Sequence, residues 1–151
     1  MKNKNIKINL SDCSGCINFN IRKAMRAVSQ HYDKIMAPTG LRGTQFTILT
    51  VLGRAESLTI TELAECLVMD RTTLTRNLKP LEKEGYLNVL PGLEDKRSRR
   101  IELTRAGKRA QKNALPYWRE AQNEMVDFMG KANAKRFIGD LQVAAMSHER
   151  A

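Results

Sequence analysis

Two stretches of this sequence carry side chains suited to bonding a polynucleotide, and a third carries thiols. Arg71, Thr72, Thr73, Thr75, Arg76, Asn77 and Lys79 follow one another with no acidic residue between Arg71 and Lys79. Arginine and asparagine bond base edges, and threonine bonds phosphate or touches a thymine methyl. Further on, Lys96, Arg97, Ser98, Arg99 and Arg100 follow Asp95. Such a run suits the phosphates or an adjacent minor groove. From Arg71 to Lys112 there are twelve basic and five acidic residues, so this region holds +7 of the chain's net +10. An excess of this size makes nucleic acid the first partner to consider and an anionic membrane surface the second. The basic positions do not lie on an apolar amphipathic helix, which favours double-stranded DNA and no membrane.

The thiols lie in "SDCSGCINF", where Cys13 and Cys16 form a C-x-x-C. If Ser14 caps the first helix, Cys16 falls at its second position, where the positive helix end makes a thiolate more reactive. Asp12 opposes that effect. The pair is a candidate redox switch, set against the plainer reading of two inert thiols. Three cysteines, Cys66 included, do not make a disulfide framework. With one C-x-x-C and two histidines, His31 and His148, four metal ligands do not come together in sequence, so no metal and no cofactor is expected. Neither a Gly-rich phosphate loop nor a nucleophile paired with a base is visible, which argues against an enzyme.

These groups need elements to position them. Ile17, Ile21, Met25, Val28, Tyr32, Ile35 and Met36 recur at helical spacing, predicting an amphipathic helix from Ser14 to Met36. "APTGLRG" breaks it, and Thr44 to Leu52 predicts a short buried helix. Thr59 or Thr61 caps a third helix with Leu63, Ala64 and Leu67 inward. Asp70 caps a fourth with Leu74, Leu78 and Leu81 inward, a bend at Pro80 and a stop at Gly85. Tyr86–Leu90 and Ile101–Thr104 predict a hairpin with a long basic tip. Thr104 caps another helix, interrupted at Pro116. After Gly130 a last helix turns Phe137, Ile138, Leu141 and Met146 inward. The expected fold is mainly α with a small β-hairpin wing, a winged helix-turn-helix over 43–108. Residues 11–42 and 109–151 form a helical dimerisation region, and 1–10 a basic flexible tail. No apolar run approaches the roughly 18 residues of a membrane helix, and no secretory signal precedes the first helix, which points to the cytoplasm.

The run "TITELAECLVMDRTTLTRNLKPLEKEGYL" followed by "EDKRSRRIELTRAGK" resembles the MarR family of bacterial transcription regulators. The family's wing pattern, D-x-R followed by L-T-x-x-G, is matched by Asp95, Arg97, Leu103, Thr104 and Gly107, and "GLRGTQFTILTVL" is similar to its second helix. The resemblance implies a homodimer that reads a near-palindromic operator with its fourth helix. It implies wing Arg97 in or near the minor groove, steadied by Asp95. It implies repression relieved by a small aromatic or phenolic compound, or by cysteine oxidation. It places a ligand between the dimerisation helices and the reading unit, where Tyr32, Phe46 and Met69 are the candidates. The family's peroxide-sensing branch lines up its reactive position near Asn18. The alternative is a non-specific architectural DNA-binding protein, which would need no base-reading types at Arg71, Arg76 and Asn77.

Overall fold

The computed structural model describes residues 13–55, 57–92 and 95–147. The expected basic tail, Asp12 and His148 lie outside the described residues. The elements are α1 (Ile17–Met36), a 3-10 turn (Ala37–Thr39), α2 (Gly43–Arg54), β1 (Leu58–Thr59), α3 (Ile60–Cys66), α4 (Arg71–Lys83), β2 (Leu87–Pro91), β3 (Arg99–Leu103), α5 (Arg105–Met129) and α6 (Lys131–Ala145). The mainly helical fold with a hairpin wing is as expected. The sheet has a third strand, in the order β1-β3-β2, because Leu58 and Thr59 pair antiparallel with Ile101 and Arg100. Two residues are too few for a period of two to register in sequence.

Side-chain caps set where the helices start. Thr59 Oγ1 accepts from the Glu62 N–H (3.1 Å), and Glu62 Oε2 accepts from the Thr59 N–H (2.7 Å), a reciprocal box that starts α3. Asp70 Oδ1 accepts from the Thr73 N–H (2.8 Å) and starts α4. Asp33, on α1, reaches across to accept from the N–H of Gly43 (2.8 Å), the first residue of α2. Gly85 closes α4 with φ of +69°.

One cluster of buried side chains joins these elements. It contains Met36, Phe46, Ile48, Leu49, Leu52, Leu63, Leu74, Leu78, Leu81, Leu87 and Ile101. Burying each such side chain is worth about 1.5–3 kcal/mol, so this cluster dominates the stability of the elements it joins. Val89 and Ile101 pair across β2 and β3, and Leu87 pairs with Leu103.

Several expectations are corrected. Pro116 does not interrupt its helix: α5 runs through it, as α4 runs through Pro80 to the expected stop at Gly85. Both prolines are exposed, so the carbonyl each leaves without an N–H partner is on the watered side of the helix. β2 begins at Leu87, and β3 begins at Arg99 instead of Ile101, which draws two arginines of the expected tip into the sheet. Phe137, Ile138, Leu141 and Met146 are not inward: they are 37–59% exposed. On α6 only Ala134 is buried, because α1 and α5 do not cover the rest of its apolar face.

The L-T-x-x-G pattern has a packing basis here. Thr104 accepts from the Gly107 N–H (3.0 Å) and donates to the Gly85 carbonyl (2.7 Å), while the Thr104 N–H bonds the Tyr86 carbonyl (3.0 Å). A Cβ on Gly107 would stand 2.0 Å from the Tyr86 carbonyl oxygen. Gly107→Ala is therefore expected to destabilise the protein by about 1–3 kcal/mol, because the start of α5 must lift from β2. Thermal unfolding checks this: a melting temperature equal to the parent's would show that the seam yields freely.

Candidate nucleic-acid interface

Burial of Leu74, Leu78 and Leu81 sets the rotation of α4 about its axis. Arg71, Thr72, Thr73, Thr75, Arg76 and Lys79 are then exposed, and Asn77 is half-buried. Several of these side chains have partners within the protein. The Arg71 guanidinium donates to the Thr61 hydroxyl, tying the first residue of α4 to α3. Thr73 Oγ1 donates to Asp70 Oδ2 (2.6 Å), Thr75 Oγ1 to the Arg71 carbonyl (2.7 Å), and Asn77 Nδ2 to the Thr73 carbonyl (2.9 Å). Among the described residues, no side-chain bond engages Thr72, Arg76 or Lys79. The outward face thus presents two cations one turn apart beside a threonine.

The wing tip is built by one aspartate and one serine. Asp95 Oδ1 accepts from the Arg97 N–H (2.9 Å), and the Asp95 carbonyl accepts from both the Ser98 N–H (3.0 Å) and the Ser98 hydroxyl (2.7 Å). Gly92 N–H bonds the Ser98 carbonyl (2.9 Å) and closes the neck. Asp95 therefore steadies Arg97 through its backbone, and the guanidinium stays free of side-chain partners among the described residues. Lys96, Arg97 and Arg99 are exposed. Arg100 differs: it pairs with Glu102, and its Nε donates to the Pro91 carbonyl (3.3 Å). Its cation is largely held against the sheet, one residue beyond the tip cluster with which sequence spacing grouped it.

The candidate ligand residues separate. Tyr32 and Met69 line a cleft of about 320 Å³ with Asp33, Thr47, Leu67 and Trp118. Phe46 does not line it. It is 4% exposed in the core and stacks behind Trp118, centroids 5.9 Å apart at 26°. The Tyr32 hydroxyl donates to Gln122 of α5, and burial pushes its pKa up. Asp33 and Trp118 were missed by sequence reasoning. The signal available for Trp118 was its being the single tryptophan, on the apolar stripe of α5.

The thiols also shift. Cys13 and Ser14 have helical backbone and Gly15 turns the chain, so α1 starts at Ile17 and Ser14 does not cap it. Cys16 is the capping residue itself, with extended backbone and its N–H on the Cys13 carbonyl (3.2 Å). Cys13 is half-buried, and Cys16 and Cys66 are exposed; all three are free thiols. Among the described residues no group of three or more His, Cys, Asp or Glu could hold a metal ion, and no helix is long and apolar enough to cross a membrane.

Comparison with known proteins follows the same lines. The sequence model described as the MarR family matches residues 41–98. The crystal structure of the Mycobacterium tuberculosis transcriptional regulator MosR in complex with DNA is 36% identical. It superposes with a TM-score of 0.81, covering 89% of this chain and 97% of that one. The HTH-type transcriptional repressor YetL of Bacillus subtilis is 37% identical over 100 residues, 65% of this chain and 58% of the relative. The organic hydroperoxide resistance transcriptional regulator of the same organism is 30% identical over 89 residues, 59% of this chain and 60% of the relative. The matched part of the chain thus spans under two thirds of the length of the two Bacillus relatives.

The caps make the interface sensitive to acid. Bonds from the Thr73 hydroxyl, then from its N–H, hold the Asp70 carboxyl below its ordinary range. The Thr59 N–H, then its hydroxyl, do the same for Glu62. The bonded form is the charged form in each case. Each cap therefore contributes above the unfolded carboxylate range, about pH 4, and is lost as pH falls through the lowered folded value. Asn caps a helix well but does not titrate. In Asp70→Asn the acid-side fall of the melting temperature, between about pH 5 and 3, should be shallower than in the parent. Superimposable acid limbs would show that the Asp70 cap does not contribute.

Proposed function

The chain belongs to the MarR family of transcription regulators, and on that premise we propose that it is a sequence-specific, dimeric DNA-binding regulator that represses its target genes. The observation that carries this reading is the pair of free guanidinium groups, Arg76 on α4 beside buried Leu74 and Leu78, and Arg97 on the wing in a turn closed by Asp95 and Ser98. In this reading residues 43–108 form the reading unit: α4 lies in a major groove and the wing tip lies over the adjacent minor groove or its phosphates. Thr72, Arg76 and Lys79 supply the direct contacts of α4, with Arg71, Thr73, Thr75 and Asn77 shaping its first turns. Lys96, Arg97 and Arg99 supply those of the wing, while Ser98, Arg100 and Asp95 hold its shape.

Residues 11–42 and 109–151 form the dimerisation region. Support comes from the uncovered apolar side chains of α1 and α6, Ile17 and Met25 on the first and Ile138, Leu141, Val143 and Met146 on the second. A single protomer does not ordinarily leave so many large apolar side chains uncovered. A two-fold dimer calls for a near-palindromic site with half-sites about one helical turn apart. The regulator works in the cytoplasm and is not an enzyme. Release is driven by a small effector in the cleft beside Tyr32 and Met69, or by oxidation of Cys13 and Cys16. The name of the Bacillus relative that governs organic hydroperoxide resistance supports the second route.

Titration of duplex carrying the DNA upstream of the gene tests the reading. Arg97→Ala is expected to weaken binding on the order of 1–3 kcal/mol and to lower the salt dependence by about one counterion. Equal affinity for this DNA and for random duplex would instead make the protein an architectural binder. Mild peroxide is expected to weaken operator binding by the parent and to leave Cys13→Ser/Cys16→Ser unaffected. An identical response of the two proteins excludes a thiol switch.

A further inference from the structure

Asp33, Trp118 and Tyr32 meet in the cleft between α1, α2 and α5. Asp33 is the only ionisable carboxylate in the lining, and no lysine, arginine or histidine joins it, in a chain with 26 lysines and arginines. Its Oδ1 takes the Gly43 N–H, which leaves Oδ2 without a donor among the described residues. Trp118 stacks one face on Phe46 and forms cleft wall with the rest of its surface. Ser29, Thr44 and Thr47 add small hydroxyl groups. A second cavity of about 210 Å³, walled by Met125, Val126, Met129 and Phe137, shares Val28 and Tyr32 with the first. It is apolar and also has no cationic side chain.

A lone carboxylate beside an electron-rich ring attracts a cation and repels an anion. We propose that this cleft is a binding site for small organic cations, a protonated or quaternary amine carrying an aromatic or aliphatic arm. The ammonium group sits between Asp33 and Trp118, and the arm points past Tyr32 toward the apolar cavity. The inference rests on the reading that an effector enters this space, and it specifies the charge of that effector. An aromatic carboxylic acid would set its anion against Asp33, with no cationic side chain in the lining to offset it. The preference is local, since the chain's net +10 favours anions elsewhere on the surface. Occupancy would also press on Leu67 and Met69, which flank Val68 in the turn between α3 and α4. Val68 is held there at φ of +50°, a conformation a β-branched residue rarely adopts.

Trp118 is the chain's single tryptophan, so its fluorescence reports the site without a label. Benzylammonium, benzyl alcohol and benzoate, close in size, are titrated into the full chain at moderate salt with no DNA present. Saturable change is expected in the order cation, neutral, anion, with benzylammonium at least about ten-fold tighter than benzoate. In Asp33→Asn the amide oxygen can still accept from Gly43, and the preference for the cation is expected to disappear. Equal or reversed order in the parent, no saturable change with any probe, or a cation preference that survives in Asp33→Asn overturns the proposal. The parent's charge series decides the matter even if the variant folds poorly. Operator binding by the unliganded protein is measured separately, so failure of the cleft and failure of the regulator reading are distinguishable.

Discussion

Three leucines hold this molecule's surface chemistry in place. Leu74, Leu78 and Leu81 are buried against α2, α3 and the sheet, and a helix with three such anchors has one rotation about its axis. That rotation decides which of the polar residues between Arg71 and Lys79 meet solvent. It also holds the guanidinium of Arg76 away from the core. The cost of turning the helix would be the exposure of all three anchors, several kcal/mol at the usual value for buried leucine. No polar contact made by the outward residues is large enough to compete. The apolar side therefore positions the polar side.

The wing depends on the same core through a different device. Ile101 is fully buried at the centre of β3, paired with Val89 on one edge and Leu58 on the other. Its burial anchors the hairpin, and the tip is then shaped by backbone bonding to Asp95 and Ser98. Arg100 is adjacent to Ile101 in β3 and so belongs to the sheet, where Glu102 and the Pro91 carbonyl hold it. Two arginines three positions apart in sequence, Arg97 and Arg100, thus have different surroundings, because one lies in a turn and the other in a paired strand.

A polar seam runs from α1 across α2 and α5 to the sheet. Asp33 of α1 caps α2, Tyr32 bonds Gln122 of α5, and Thr104 with Gly107 locks the start of α5 against β2. The cleft lined by Tyr32, Asp33 and Trp118 opens along this seam and touches the turn that joins α3 to α4. A ligand there would touch α1 and the turn before α4 at once, so a difference in its affinity for two arrangements would shift α4.

Much of the fold was legible from local rules. Asp70 and Thr104, and Thr59 beside the alternative Thr61, are legible as caps because such hydroxyl and carboxylate oxygens satisfy N–H groups three residues on, within the same segment. The inward leucines of α4 followed from helical spacing. Local pattern misled at Pro116, where exposure of the freed carbonyl to water let the helix continue. It misled at Ser14, where Gly15 ended the first turn and moved the cap to Cys16. It also turned the α6 apolar stripe inward, because periodicity identifies a sticky face without saying whether the same chain supplies its cover. The tertiary structure alone decided the partners of residues far apart in sequence. Asp33 on Gly43, Trp118 against Phe46, β1 on β3 and Gly107 under Tyr86 are contacts between segments that packing brings together. No spacing rule within one segment encodes them, since their free energy comes from surfaces that meet only when the core has formed.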